Sequence, residues 1–149
     1  MSELLNGTVQ QILLQLYCRE QTELPLISRI DLDIDLYDSE GFLAWRDTKR
    51  DFTVSDIESR VWVKSCPGGY ITEVHFNADG SLTEYRLFDR FETTGQWQLK
   101  DGLLHVEILK GDNRYQFAVV ARADLNIHSA VEYKNGELHS YLKLVQAER

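Results

Sequence analysis

Three aspartates alternate with apolar residues in the segment Asp31-Leu-Asp33-Ile-Asp35, and clustered carboxylates of this kind can hold a calcium ion. The calcium loop of an EF-hand also needs a glycine at its sixth position and a glutamate at its twelfth. Counted from Asp31, those positions hold Leu36 and Phe42. The alternation therefore indicates the solvated face of a strand, and we predict no metal site there.

The four histidines are the next candidates for chemistry, and their spacing matches none of the short motifs that bind zinc. They are His75, His105, His128 and His139. The strand register described below places all four on the polar outer face of a sheet. We therefore expect surface imidazoles without a bound metal.

The sequence contains no activated nucleophile and no cofactor motif. There is no Gly-x-Ser-x-Gly segment, and Cys66 precedes a Pro67-Gly68-Gly69 turn that lacks the Lys-Ser/Thr of a phosphate loop. Cys18 and Cys66 lie on unrelated elements, which favours free thiols and a cytoplasmic location. We predict no catalytic residue and no cofactor.

Charge and hydropathy exclude several classes of partner. The chain of 149 residues has a formal net charge of −8, which argues against nucleic acid and anionic membrane surfaces. No segment approaches the roughly 20 apolar residues of a membrane span. Glu3 stands near the start with no basic run before Leu4, so we expect no secretory signal.

The chain reads as a single domain, 1–149, with three regions. Residues 1–25 form a helix that ends before Pro25, and its apolar stripe must pack on the rest of the protein or on a partner. Residues 26–58 contain a strand over 26–37 followed by an irregular segment, and 60–146 form a β-meander. The stripe consists of Leu5, Val9, Ile12, Leu13 and Leu16.

Turn dipeptides of the type I′ hairpin predict the pairing of strands in the meander. They are Asp79-Gly80, Asp101-Gly102 and Asn135-Gly136, with Gly111-Asp112 as a fourth two-residue loop. Each loop determines which residues lie opposite each other, and the resulting pairs combine apolar residues on one face. The predicted neighbours on the buried face are Val74/Tyr85, Trp97/Val106, Ile108/Tyr115 and Val131/Ser140.

Eight sequential antiparallel strands would leave long open edges unless the sheet closes, so we predict a mainly β, eight-stranded up-and-down barrel with the N-terminal helix packed on it. A barrel of this size holds side chains or one small ligand. The predicted inner face is apolar with several hydroxyl groups, which is typical of a small-molecule site. Its apolar members are Val74, Phe76, Trp97, Leu99, Leu104, Val106, Phe117, Val119 and Leu142.

Three short segments resemble the pattern of bacterial lipocalin-like proteins of the calycin group. They are Val74-His-Phe-Asn-Ala-Asp-Gly80, Gly95-Gln-Trp97 and Asp101-Gly-Leu-Leu104. The resemblance covers about residues 60–146 and implies a barrel with a central cavity. In lipocalins Gly-x-Trp lies on the first strand, whereas here it lies in mid-meander, so no ligand residue of the family is transferred.

The first functional hypothesis is a cytosolic protein that binds a small, mostly apolar ligand in the barrel cavity. The predicted ligand-binding residues are Tyr85, Trp97, Tyr115, Ser129 and Tyr133. The alternative is a filled barrel that serves as a protein-interaction or assembly module, with a homo-oligomer or a protein partner. A lyase or isomerase that uses a cavity tyrosine as acid is a third reading, supported by no motif.

One cluster stays open between two readings. Trp45 and Arg46 lie near Lys49 and Arg50, which mixes an aromatic ring with basic side chains. Such a cluster either contacts an anionic ligand or forms a solvated helix whose tryptophan packs on the barrel, and the second reading is the more economical.

Overall fold

A computed structural model describes residues 8–22, 25–58 and 60–147 of the chain. Its helices are α1 (Val9–Thr22), α2 (Glu40–Arg46) and α3 (Val54–Ile57). Its strands are β1 (Lys49–Arg50), β2 (Val61–Ser65), β3 (Ile71–Phe76), β4 (Ser81–Arg86), β5 (Glu92–Lys100), β6 (Leu103–Lys110), β7 (Asn113–Arg122), β8 (His128–Lys134) and β9 (Glu137–Gln146). Leu5, the first member of the predicted helical stripe, lies outside the described residues.

Strands β2 to β9 form a closed antiparallel barrel, which confirms the predicted fold class. Each strand pairs with the next one in the chain, and β2 pairs with β9 to close the sheet. Closure removes both open edges of the meander. The short strand β1 is an addition that pairs with β7 through Lys49 and Arg122.

The turns at Asp101-Gly102 and Asn135-Gly136 have positive φ at both central residues, as a type I′ hairpin requires. The Asp101-Gly102 turn gives the predicted pair Trp97/Val106, and the two-residue loop at Gly111-Asp112 gives Ile108/Tyr115, so both pairs are confirmed as cross-strand neighbours. At Asp101 and Gly102 φ is 55° and 78°, a region that aspartate and glycine adopt more readily than most residues.

The predicted pair Val74/Tyr85 is wrong by one residue. Val74 lies opposite Glu84, because the turn between β3 and β4 is longer than two residues. The Asp79 carboxylate accepts a hydrogen bond from the Ser81 N–H at 2.9 Å, so Asp79 does not adopt the positive φ that a two-residue loop needs. The shift turns Tyr85 to the outer face and Glu84 to the interior.

The predicted pair Val131/Ser140 is also wrong. A β-bulge between Glu132 and Tyr133 shifts the register, so that Glu132 lies opposite Ser140 and Val131 opposite Tyr141. A bulge places one extra residue on one strand, and here that residue is His139. Beyond the bulge, Glu132 faces the barrel interior while Val131 faces outward.

An aromatic plug closes one end of the barrel, which we call the closed end. Phe52 and Ile57, from the segment before β2, are buried against Trp62 and Phe76. The Phe52 N–H donates to the Gly102 carbonyl at 3.0 Å, which ties the plug to the β5–β6 turn. The region between α2 and β2 thus becomes part of the barrel core.

Helix α1 packs on the outer wall of the barrel, which confirms that the N-terminal helix packs on the rest of the protein. Leu14 and Leu16 are fully buried against side chains of β7, β8 and β9. The predicted strand over 26–37 is wrong, because two 3₁₀ segments, Arg29–Asp31 and Ile34–Asp38, occupy that region. Leu32 and Leu36 pack beside α1, while Ile30 is 91% exposed.

Candidate functional site: a charged cavity at the barrel mouth

Opposite the plug, the barrel contains a cavity of about 400 Å³ that opens at the mouth. The cavity lies above the apolar layer of the core and is formed by the mouth ends of the strands. Its lining combines charged, hydroxyl and apolar side chains, among them Lys64, Thr72, Glu84, Arg86, Phe91, Thr93, Ile108, Lys110, Tyr115, Glu132, His139, Ser140 and Leu142.

Glu84 is buried and fully engaged by its neighbours. Its carboxylate lies 2.5 Å from the Lys64 ammonium. Thr72 and Thr93 donate hydroxyl hydrogen bonds to it at 3.0 and 3.1 Å. These contacts replace the water that a carboxylate loses on burial, so Glu84 and Lys64 form a satisfied pair in the cavity wall.

Glu132 is the cavity carboxylate without such support. It is 6% exposed and, within the described part of the chain, accepts no hydrogen bond. The His139 Nε2 atom lies 3.9 Å from a carboxylate oxygen of Glu132, and the two form an ion pair only when the imidazole is protonated. Burial raises the pKa of Glu132 from 4.5 to about 6, with the Glu84 charge adding to the effect and Lys64 opposing it. A buried, poorly solvated carboxylate of this kind is poised to accept a hydrogen bond from a ligand.

The remaining lining provides an apolar surface and a cationic rim. Ile108, Leu142 and the Tyr115 ring form the apolar side of the cavity. At the mouth, the Lys110 ammonium lies 5.7 Å from the centroid of the Phe91 ring. A molecule in this cavity would therefore contact positively and negatively charged side chains, hydroxyl groups and an apolar surface.

Tyr115 is the predicted ligand-binding residue that lines this cavity. Trp97 lies nearer the closed end, where its Nε1 donates to the Asn77 carbonyl at 2.8 Å. Tyr85 is on the outer face, with its ring 5.6 Å from that of His75.

Ser129 and Tyr133 lie under helix α1, outside the barrel. Ser129 donates to Glu20 at 2.8 Å, and the Tyr133 hydroxyl accepts from Gln15 Nε2 at 3.0 Å. The fold therefore does not bring the five predicted residues together.

The histidines also lie in different parts of the barrel. His75 lies on the outer face beside Glu73, and His139 lines the mouth. The prediction is wrong for His128, which is 2% exposed and packs against Trp62 and Phe52 at the closed end. Its Nδ1 accepts the Arg122 N–H at 3.0 Å, and burial lowers the pKa of His128 to about 4.

Sequence reasoning missed Lys64, Glu84 and Glu132. Each stands two residues from a buried apolar residue on the same strand face: Trp62, Leu82 and Ala130. A charged residue two positions from a buried apolar residue shares its face of the strand, and this spacing is the signal that could have identified them. The signal is useful only when the register of β4 and β9 is known, because the register decides which face is buried.

No family model, no curated protein and no solved structure matches this chain. Among the described residues, His, Cys, Asp and Glu side chains form no group of three that could hold a metal ion. In the same part of the chain, no helix has the length and apolar character to cross a membrane.

Proposed function

We propose that this is a cytosolic small-molecule-binding protein whose ligand occupies the barrel cavity. The observation that carries the proposal is the Glu132 carboxylate, which is buried in the cavity wall without a hydrogen bond from the described residues. Burial of such a group is costly, and a ligand that donates a hydrogen bond to it would recover part of that cost.

The charged lining favours a polar ligand over the mostly apolar one that we expected from the sequence. The ligand would carry a hydroxyl or amino group for Glu132 and an acceptor for the Lys110 ammonium at the rim. Its apolar part would lie against Ile108, Tyr115 and Leu142. The cavity volume of about 400 Å³ limits it to a small metabolite.

Two observations weigh against the interaction-module alternative. The apolar side chains of α1 are buried against the barrel of the same chain, so they are not free for a partner. The mouth half of the barrel interior holds a cavity instead of packed side chains. The resemblance to lipocalin-like proteins, although no match supports it, leads to the same proposal.

A direct test combines native mass spectrometry of gently purified protein with thermal-shift screening of small amines, sugars and hydroxy acids. We expect a stabilising compound whose effect is lost in Glu132→Leu. The matched control is Glu107→Leu, because Glu107 lies on the outer face beside Arg114. Equal responses in both variants, or no stabilising compound for the wild type, would overturn the proposal.

The raised pKa of Glu132 favours a second candidate, acid–base catalysis on the bound molecule. A carboxyl group with a pKa of about 6 can exchange a proton near neutral pH, and Tyr115 supplies a hydroxyl in the same cavity. Once a ligand is known, turnover that disappears in Glu132→Gln while binding persists would establish Glu132 as an acid–base catalyst, and analysis of the product would decide between a lyase and an isomerase. Unchanged ligand after prolonged incubation would exclude it.

A further inference from the structure

Another concave surface lies outside the barrel, between α1, α2 and the outer faces of β8 and β9. It is a groove of about 920 Å³, and we call it the outer groove. The residues that line it include Arg19, Glu20, Trp45, Lys49, Arg122 and Lys143.

The outer groove is cationic in a strongly acidic protein. Four basic side chains from four different elements converge on it: Arg19 of α1, Lys49 of β1, Arg122 of β7 and Lys143 of β9. One carboxylate, Glu20, faces them in the lining. The chain as a whole carries a formal charge of −8, so the local sign is opposite to that of the molecule.

Glu20 is already occupied by neutral donors. It accepts hydrogen bonds from Trp45 Nε1 at 2.9 Å and from the Tyr141 hydroxyl at 2.6 Å. Ser129 adds a third, and the Lys49 ammonium lies 3.8 Å away. Although burial opposes its ionisation, these hydrogen bonds lower the pKa of Glu20, so it stays charged and fixed.

Two of the four cations have no acidic partner among the described residues. Within the described residues, no ion pair engages Arg19 or Lys143. The Arg19 guanidinium lies 4.6 Å above the Tyr141 ring, which holds it at the groove. Arg122 is less available, because its Nε donates to Asp124 at 2.7 Å.

We propose that the outer groove binds a small organic phosphate. The phosphate would interact with Arg19 and Lys143, since guanidinium and ammonium groups are the usual partners of phosphate oxygens. Ala44, Pro67 and Ile127 line the groove beside these cations and would contact the apolar part of the ligand. This site lies outside the barrel cavity and does not depend on what that cavity binds.

The test uses the full chain at low salt, with phenyl phosphate as the probe in isothermal titration calorimetry. We expect saturable binding that weakens about tenfold in Lys143→Glu, because reversal of a nearby charge turns attraction into repulsion. The matched control is Arg60→Glu, which makes the same charge change at an exposed position that lines neither the outer groove nor the barrel cavity. Circular dichroism verifies that both variants are folded.

Three outcomes would overturn the proposal. These are no saturable binding by the wild type, equal loss in the two variants, and loss in Arg60→Glu alone, which would place the anion outside the groove. Inorganic phosphate provides the last comparison. If it binds as tightly as phenyl phosphate, the apolar wall plays no part and the assignment of an organic ligand is wrong.

Discussion

The Tyr141 hydroxyl donates a hydrogen bond of 2.6 Å to the Glu20 carboxylate, which joins the last strand of the barrel to the end of helix α1. Ser129 and Trp45 donate to the same carboxylate, from β8 and from α2. One side chain thus connects two helices and two strands. Its contacts hold the helical layer on the outer wall of the barrel.

We expect Glu20→Ala to lower the free energy of unfolding by about 2 kcal/mol, because it leaves three partly buried donors without an acceptor. Urea denaturation followed by circular dichroism measures the loss. Glu137→Ala, at an exposed position of β9, is the control and should change stability by less than about 0.5 kcal/mol. Equal values for the two variants would mean that the Glu20 contacts contribute nothing.

Glu132→Gln should stabilise the protein at alkaline pH. The folded protein holds the pKa of Glu132 at about 6, above its ordinary value of 4.5, so stability falls as the pH rises from about 4.5 through 6. Glutamine removes this dependence, and we expect a gain of about 2 kcal/mol at pH 8 and none at pH 4. Urea unfolding at the two pH values measures it, and a gain of the same size at pH 4 would contradict the prediction.

His128 produces the opposite dependence in an overlapping window. Its pKa falls from 6.5 to about 4 in the folded state, so the unfolded chain binds more protons between these values and stability falls as the pH drops. Between pH 7 and pH 4 the free energy of unfolding falls in the wild type. We expect this fall to be about 2 kcal/mol smaller in His128→Phe. The variant also loses the acceptor for the Arg122 N–H, which lowers its stability equally at every pH. The test is therefore the change in the free energy of unfolding with pH, and equal changes in the wild type and the variant would contradict the prediction.

Gly95 is required where β5 approaches β6 closely. A Cβ atom at this position would lie 2.1 Å from the Glu107 carbonyl oxygen, and a backbone atom cannot move aside cheaply. We expect Gly95→Ala to cost about 3 kcal/mol. At Gly68 the nearest atoms would be 3.6 Å away, so Gly68→Ala is the control, and thermal unfolding compares the two. Equal melting temperatures would show that β5 and β6 can separate.

Leu14→Asp should unfold the monomer, because the Leu14 side chain of α1 is fully buried against the barrel and a carboxylate there finds no partner. Gln10→Asp, on the exposed side of the same helix, is the control. Size-exclusion chromatography with circular dichroism reports the outcome. A folded Leu14→Asp variant that converts from oligomer to monomer would instead make α1 an interface element and revive the interaction-module hypothesis.

Local sequence patterns were enough to predict the number, order and direction of the barrel strands. Type I′ dipeptides such as Asp101-Gly102 restrict the backbone locally, so a short segment contains all the information that its hairpin needs. Alternation of apolar residues then identified the inner face of β5, β6 and the first part of β7. The predicted core of this half of the barrel is the observed one.

The inner faces of β4 and β8 depended on long-range packing, whereas the inner residues of β9, such as Leu142, lie where the sequence predicted them. The Asp79 carboxylate lengthens one turn, and the bulge at His139 shifts β9, and both effects depend on a single residue. Strand β8 is buried on both faces, since α1 covers the face that would otherwise be solvated. Alternation carries no information about inside and outside when neither face is exposed to water.

The candidate sites depend on the same long-range decisions. Glu132 becomes a cavity residue because of a one-residue shift in register, and Glu20 meets Tyr141 across 121 positions of sequence. Neither contact follows from local spacing. Local rules therefore determined the barrel, whereas the packing of α1, the plug around Phe52 and two register shifts determined its chemistry.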